Sequence, residues 1–189
     1  MSIGTKILNK IVSLAQATGG QVEGNKDVTD EMKNLARAVA EEGVVMLKND
    51  GALPLSESDV VAVFGRVQND WFYVGYGSGG DVKPPYKVNL IEGLENEGVK
   101  IDETLKKIYA DWSVKNVPYE GFWGHWPFHF DEMPLSNKVV GEAAKRANKA
   151  IVVIGRAAGE DREQKLEKGS FYLTDEEKKM LSIVTKNFK

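Results

Sequence analysis

Four charged residues in a row, Glu160, Asp161, Arg162 and Glu163, follow the apolar run AIVVI (Ala150 to Ile154) and the small residues of GRAAG. A loop that leaves a buried strand at its carboxyl end is where α/β folds bind ligands. A carboxyl group there can give or take a proton. By spacing alone Glu160, Asp161 and Glu163 are equivalent candidates, and a solvated loop carrying charges of both signs explains them equally well. A second cluster, GYGSGGD (Gly75 to Asp81), satisfies G-x-G-x-x-G through Gly75, Gly77 and Gly80. The dinucleotide fingerprint needs a strand directly before it and a helix directly after, and Pro84 and Pro85 deny it the helix. A tight loop whose backbone and Ser78 hydroxyl approach a polar ligand fits better, with a plain turn as the alternative.

The segment YEGFWGHWPFHF (119–130) holds six aromatic residues and two histidines in twelve positions. Aromatic faces suit the C–H faces of sugar rings, and they equally suit a lid, a core or a domain interface. His125 and His129 have a zinc-like spacing only on a helix. Pro127 between them argues against one and no third ligand is evident, so no metal is expected. Asp111 and Trp112 read as a solvated aspartate beside a core tryptophan.

The elements that must position these groups alternate. Apolar residues at Met32, Leu35, Ala36 and Val39 predict a helix from Thr29 to Glu42 with one buried face, Asp30 as its cap and Gly43 as its stop. VVMLKN (Val44 to Asn49) and VVAVF (Val60 to Phe64) are short β-branched runs of the kind found in strands buried on both faces. Helices are predicted over Asn89 to Glu97, Asp102 to Lys115 (Leu105, Ile108, Tyr109 and Trp112 inward) and Ser136 to Ala147. Short strands are predicted over Val99 to Ile101 and Ala150 to Ile154. The last helix opens on Thr174 and Glu177, spaced as a capping box. The expected fold class is α/β, a layered and mostly parallel sheet with helices on both faces. After Leu181 to Phe188 the alternation calls for another strand, so the sheet is expected to be incomplete at its C-terminal end.

Composition sets the outer bounds. The 189 residues are 42% hydrophobic and 28% charged, with a formal charge of −3 and no cysteine. That is the balance of a globular domain. It lacks the basic stripe that nucleic-acid binding requires, and it excludes disulfide and thiolate metal sites. Residues 1–28 read as an amphipathic helical extension, interrupted at Asn9 and Lys10, without the continuous apolar core of a signal peptide. No apolar run approaches a bilayer span of roughly 20 residues. A cytoplasmic location without membrane contact is the expectation.

Five segments in order, ARAVAEEGVVMLKNDGALPL, VAVFGR, GYGSGGDVKPPYKVNLIEGL, AIVVIGRAAGEDRE and KGSFYLTDEEKKML, resemble the α/β sandwich domain of family 3 glycoside hydrolases. The resemblance runs from about Leu35 to Leu181. It implies that residues 29–189 are part of that domain, and that the enzyme is a retaining hydrolase of β-linked glucosides or related sugars. It implies that a barrel domain supplies the aspartate nucleophile and the sandwich domain the acid/base glutamate. Glu160 falls at the place of that glutamate, and Ser78 at the place of a serine facing the sugar subsite. No cofactor is implied. The implied partners are a small carbohydrate and the barrel of the same enzyme, and a homo-oligomer is compatible with both.

Retaining hydrolysis needs two carboxyl groups about 5 Å apart, and nothing here fills the nucleophile's role. Asp111 is discounted, since it lies on a predicted helix of the wrong domain. The roughly thirty residues ahead of the domain cannot hold a barrel of about 250 residues, so a permuted order with the barrel beyond Lys189 is expected. To act as an acid, Glu160 needs a raised pKa from partial burial or from the other carboxylate, with Arg162 opposing that if it points inward. The competing reading is a non-catalytic carbohydrate-binding or regulatory module of the same fold. A flavodoxin-like nucleotide binder is a third, resting on fold analogy alone.

Overall fold

The computed structural model describes residues 7, 10, 28–77, 86–119, 121, 125–160 and 163–188. The predicted extension over residues 1–28 therefore lies almost entirely outside the described residues. So do Ser78, Asp161 and Arg162.

The run VVAVF forms the central strand β1 (Val60–Phe64). Its apolar side chains alternate between two cores because strand side chains point to opposite faces in turn. Ala62 and Phe64 face one side, against α3 (Glu103–Lys115), α4 (Asn137–Arg146) and α5 (Asp175–Asn187), where Leu105, Tyr109, Val140, Ala143, Met180 and Val184 are buried. Val61 and Val63 face the other, against Ile91, Leu90 and Leu94 of α2 (Leu90–Asn96). The sheet order is β2-β1-β3, with β2 (Lys100–Ile101) and β3 (Lys149–Val152) both parallel to β1. Helices on both faces of a parallel sheet confirm the α/β class that the alternation predicts.

Helix starts follow the local chemistry. Asn89 with Glu92, and Thr174 with Glu177, each close a reciprocal capping box. Asp102 caps α3 by accepting from the amides of Thr104 and Leu105, and it also takes a two-pronged hydrogen bond from Arg146 of α4 at 2.9 and 2.8 Å. One buried carboxylate thus joins two helices on the same face of the sheet.

Expectations for the first helix and the segment after it are corrected. Thr29, not Asp30, caps the first helix α1 (Asp30–Gly43), accepting from the Met32 amide at 3.2 Å. Gly43 is the last residue of α1 rather than the residue after its end. The face carrying Met32, Leu35 and Val39 is not buried: no residue of α1 is, and Val39 is 64% exposed. Val44 to Asn49 forms no strand, and Leu47 is 94% exposed. The periodicity of α1 records where its apolar residues lie, and no described element packs over them. A strand needs a neighbour to take its backbone hydrogen bonds, and among the described residues 44–49 has none.

Candidate active site

The carboxyl ends of parallel strands share one edge of a sheet, so the segments that leave β1 and β3 there must run close together. The Val153 amide donates to the Phe64 carbonyl at 2.8 Å, extending the ladder past the end of β3. Beyond β1 the chain makes a 3-10 turn at Arg66–Gln68 and reaches Tyr76. There it meets the other segment again. Tyr76 N donates to Ala158 O and Glu160 N donates to Tyr76 O, both at 2.9 Å, forming a parallel bridge between Tyr76 and Gly159.

Glycine permits this contact. A Cβ on Gly159 would lie 2.2 Å from the Tyr76 carbonyl oxygen. Gly77 has φ +118°, and a Cβ there would lie 2.5 Å from Cβ and 2.9 Å from Oε2 of Glu160. The Glu160 side chain therefore rests directly over Gly77. Its backbone is fixed by the bridge, while the residue itself is exposed. The partial burial expected of an acid is thus not supplied by the described residues.

The described part of the aromatic segment packs against the same loop and its bridge partner. Ala157 N donates to Phe128 O at 2.7 Å, and the Trp126 ring stacks on Tyr76 with centroids 5.3 Å apart and planes 5° from parallel. Phe72 and Phe130 stack at 4.6 Å. Phe128 is buried. The described part of this segment is thus packing for the Glu160 loop. Spacing does not show this, because its partners Tyr76 and Phe72 come from the segment after β1. His125 and His129 are not on a helix, and among the described residues no group of His, Asp or Glu is arranged to hold a metal ion. His129 and Phe130 also line a cleft of about 360 Å³ with Trp112, Tyr119 and Asp131. At its wall the Arg66 guanidinium lies between Trp112 and Phe130, 4.8 and 5.8 Å from the ring centres, and donates to Asp70 at 2.7 Å.

Two other acids invite comparison with Glu160. Burial pushes the Glu132 carboxyl up, against the opposing hydrogen bonds from the Arg66 and Met133 amides, so its pKa is perturbed as a functional acid's can be. Those two amides already occupy its oxygens, which makes it a structural anchor for the turn after β1. Asp111 is exposed on α3 and pairs with Lys107 one turn earlier, the solvated helical placement expected from the sequence. Glu163, the remaining described member of the charged cluster, is exposed.

The model of the glycosyl hydrolase family 3 C-terminal domain matches residues 44–189. The chain belongs to that family. A β-glucosidase of Ruminococcus albus is 41% identical over 162 residues, covering 84% of this chain and 17% of the relative. Beta-glucosidase A of Butyrivibrio fibrisolvens is 34% identical over 193 residues, covering 88% and 23%. Among solved structures, a β-glucosidase from Paenibacillus barengoltzii superposes with a TM-score of 0.82 at 38% identity, covering 86% of this chain and 18% of that one. β-Glucosidase 3B from Thermotoga neapolitana, in complex with α-D-glucose, superposes with a TM-score of 0.74 at 35% identity, covering 84% and 22%. This family 3 domain therefore spans about a fifth of the length of the relatives it matches, and the fold expected from the resemblance is the fold observed.

Proposed function

We propose that this chain is the acid/base-bearing part of a retaining β-glucosidase-like enzyme, with Glu160 as the general acid/base and the aspartate nucleophile supplied by a barrel domain outside these 189 residues. The observation that carries the proposal is the placement of Glu160. It is an exposed carboxyl at the carboxyl edge of a parallel sheet, its backbone tied to Tyr76 and its side chain laid over Gly77. Family membership and the β-glucosidase relatives support it.

In this reading the nucleophile attacks the anomeric carbon while Glu160 gives its proton to the departing glycosidic oxygen, leaving a glycosyl-enzyme and a free alcohol. Glu160, now a carboxylate, takes a proton from water as that water attacks the anomeric carbon, which releases the sugar and restores both groups. The barrel also covers Glu160 and excludes water, so that the carboxyl stays protonated near neutral pH. Residues 29–189 then make up part of the sandwich domain, with Ser78 beside the sugar.

The test compares Glu160→Gln with the parent in the longer enzyme, on aryl β-glucosides of graded leaving-group ability. Turnover is expected to fall most for the poorest leaving groups, which need protonation most. Equal losses across the series would move the role to Asp161 or Glu163. The 189-residue chain alone is expected not to turn over these substrates, and turnover like a complete enzyme's would contradict the proposal. Saturable glucose binding by the isolated chain, with no effect of Glu160→Gln in the longer one, would favour the non-catalytic module.

A further inference from the structure

Arg156 stands four residues ahead of Glu160, where the chain has just left β3, with its side chain 18% exposed. Its guanidinium donates to both carboxylate oxygens of Glu177 at 2.7 Å. The same group donates to the Ser170 carbonyl and to the Gly155 carbonyl, each at 2.8 Å, and reaches the Tyr172 carbonyl at 3.4 Å. One planar fork thus touches the exit from β3, the turn through Ser170 and Tyr172, and the first turn of α5. Arginine can do this because its five donors are rigidly spread, whereas a lysine ammonium is a single point.

What it holds is itself stiff. The Ser170 hydroxyl accepts from the Lys165 amide at 2.8 Å and pairs with Gln164 Oε1 at 3.0 Å. Phe171 N donates to Lys165 O at 3.0 Å, and Gly169 N to Tyr172 O at 2.7 Å. Glu177 is anchored in turn by the Thr174 amide at 2.8 Å. The chain leaves the sheet at Arg156 and comes back to the same guanidinium at Ser170 and Tyr172. Glu160 lies between these two points.

We infer that Arg156 is a positioning residue for Glu160: by tying both ends of the loop to each other and to α5, it limits how far the carboxyl can move. A loop closed at its base has fewer conformations to sample. The inference rests on reading Glu160 as the acid/base group, and its test separates the two.

Amide hydrogen exchange in the 189-residue chain is the first measurement, on the parent, Arg156→Gln and Arg156→Lys. The Glu160 amide and those of Gly169, Phe171 and Tyr172 are expected to exchange at least about tenfold faster in Arg156→Gln, with amides in β1 and α3 within about twofold of the parent. Arg156→Lys keeps a cation beside Glu177 but cannot also hold the Gly155, Ser170 and Tyr172 carbonyls, so it is expected to loosen the same amides to a lesser degree. It serves as the readout if Arg156→Gln does not fold. In the longer enzyme Arg156→Lys is expected to lower kcat, most for poor leaving groups, with KM within about twofold. The inference is overturned if the Glu160 amide is unchanged in the variants, or loosens only in step with β1 and α3. It is also overturned if Glu160→Gln impairs poor leaving groups and Arg156→Lys does not. If Glu160→Gln has no such effect, the acid/base reading fails and the inference falls with it, whatever the amides show.

Discussion

Replacing Gly77 by alanine tests the geometry on which the candidate site depends. Two effects are expected and can be separated. The backbone at φ +118° is a conformation that a residue with a Cβ adopts at a cost of about 1–2 kcal/mol. The new methyl would also stand 2.5 Å from Glu160 Cβ, whereas carbon atoms in contact sit about 3.5–4.0 Å apart. Glu160 must therefore move by about 1 Å or more, or the bridge to Tyr76 must open. Gly51→Ala is the control: its φ is +90° and no atom lies within 4 Å of its added Cβ, so it carries the backbone cost without the clash. Urea denaturation of the 189-residue chain is expected to show Gly77→Ala destabilised by about 1 kcal/mol or more beyond Gly51→Ala. In the longer enzyme a displacement of about 1 Å at the acid/base group is expected to lower kcat on the order of a hundredfold, with Gly51→Ala near the parent. Equal stability losses in the two variants, together with unimpaired turnover in Gly77→Ala, would refute the placement of Glu160 over Gly77.

Other consequences concern the scaffold. Tyr109 is fully buried and its hydroxyl accepts from the Gly65 amide at 2.9 Å, so Tyr109→Phe strands a buried donor and is expected to cost about 2 kcal/mol by denaturation; a loss under about 0.5 kcal/mol would mean that amide finds another acceptor. Burial pushes the Glu177 carboxyl up, but the hydrogen bond from Arg156, the Thr174 amide and the Arg156 charge outweigh it and leave its pKa below the ordinary value. Its stabilising effect is thus present above about pH 4.3, the unfolded-state value, and is lost as pH falls through the lower folded-state value. Glu177→Gln is expected to cost about 2–3 kcal/mol at pH 7, because it leaves Arg156 largely buried without its counter-charge. The gap to the parent should close in acid, and a gap that stays constant from pH 7 to pH 3 would refute the linkage. The exposed apolar residues of α1 and 44–47 are an association hazard in the isolated chain. It is expected to self-associate on size-exclusion chromatography, and Val45→Lys with Leu47→Lys should shift it toward monomer; a parent chain that is already monomeric at high concentration would contradict this.

The features that the chain determined by itself are local ones. The capping box at Thr174 and Glu177, the doubly buried run of β1 and the amphipathic helices α3, α4 and α5 were all legible, because each depends on side chains within a few residues of one another. Asp102 was legible as the start of α3, but not as the tie to Arg146. Spacing could say that Glu160 lies in a loop after a buried strand, and could not separate it from Asp161 or Glu163. Only the resemblance to a family did that.

Tertiary structure decided the rest. It brought Tyr76 and Gly77 from the exit of β1 against Gly159 and Glu160 from the exit of β3, laid Trp126 on Tyr76, and folded Glu177 back onto Arg156. It also showed that among the described residues no element packs over the apolar stripe of α1. The physical reason is the same in each case. A cap or a periodic face is written in neighbouring residues, whereas contact between distant segments depends on strand order and on which surfaces meet, and neither is encoded in any one stretch of sequence.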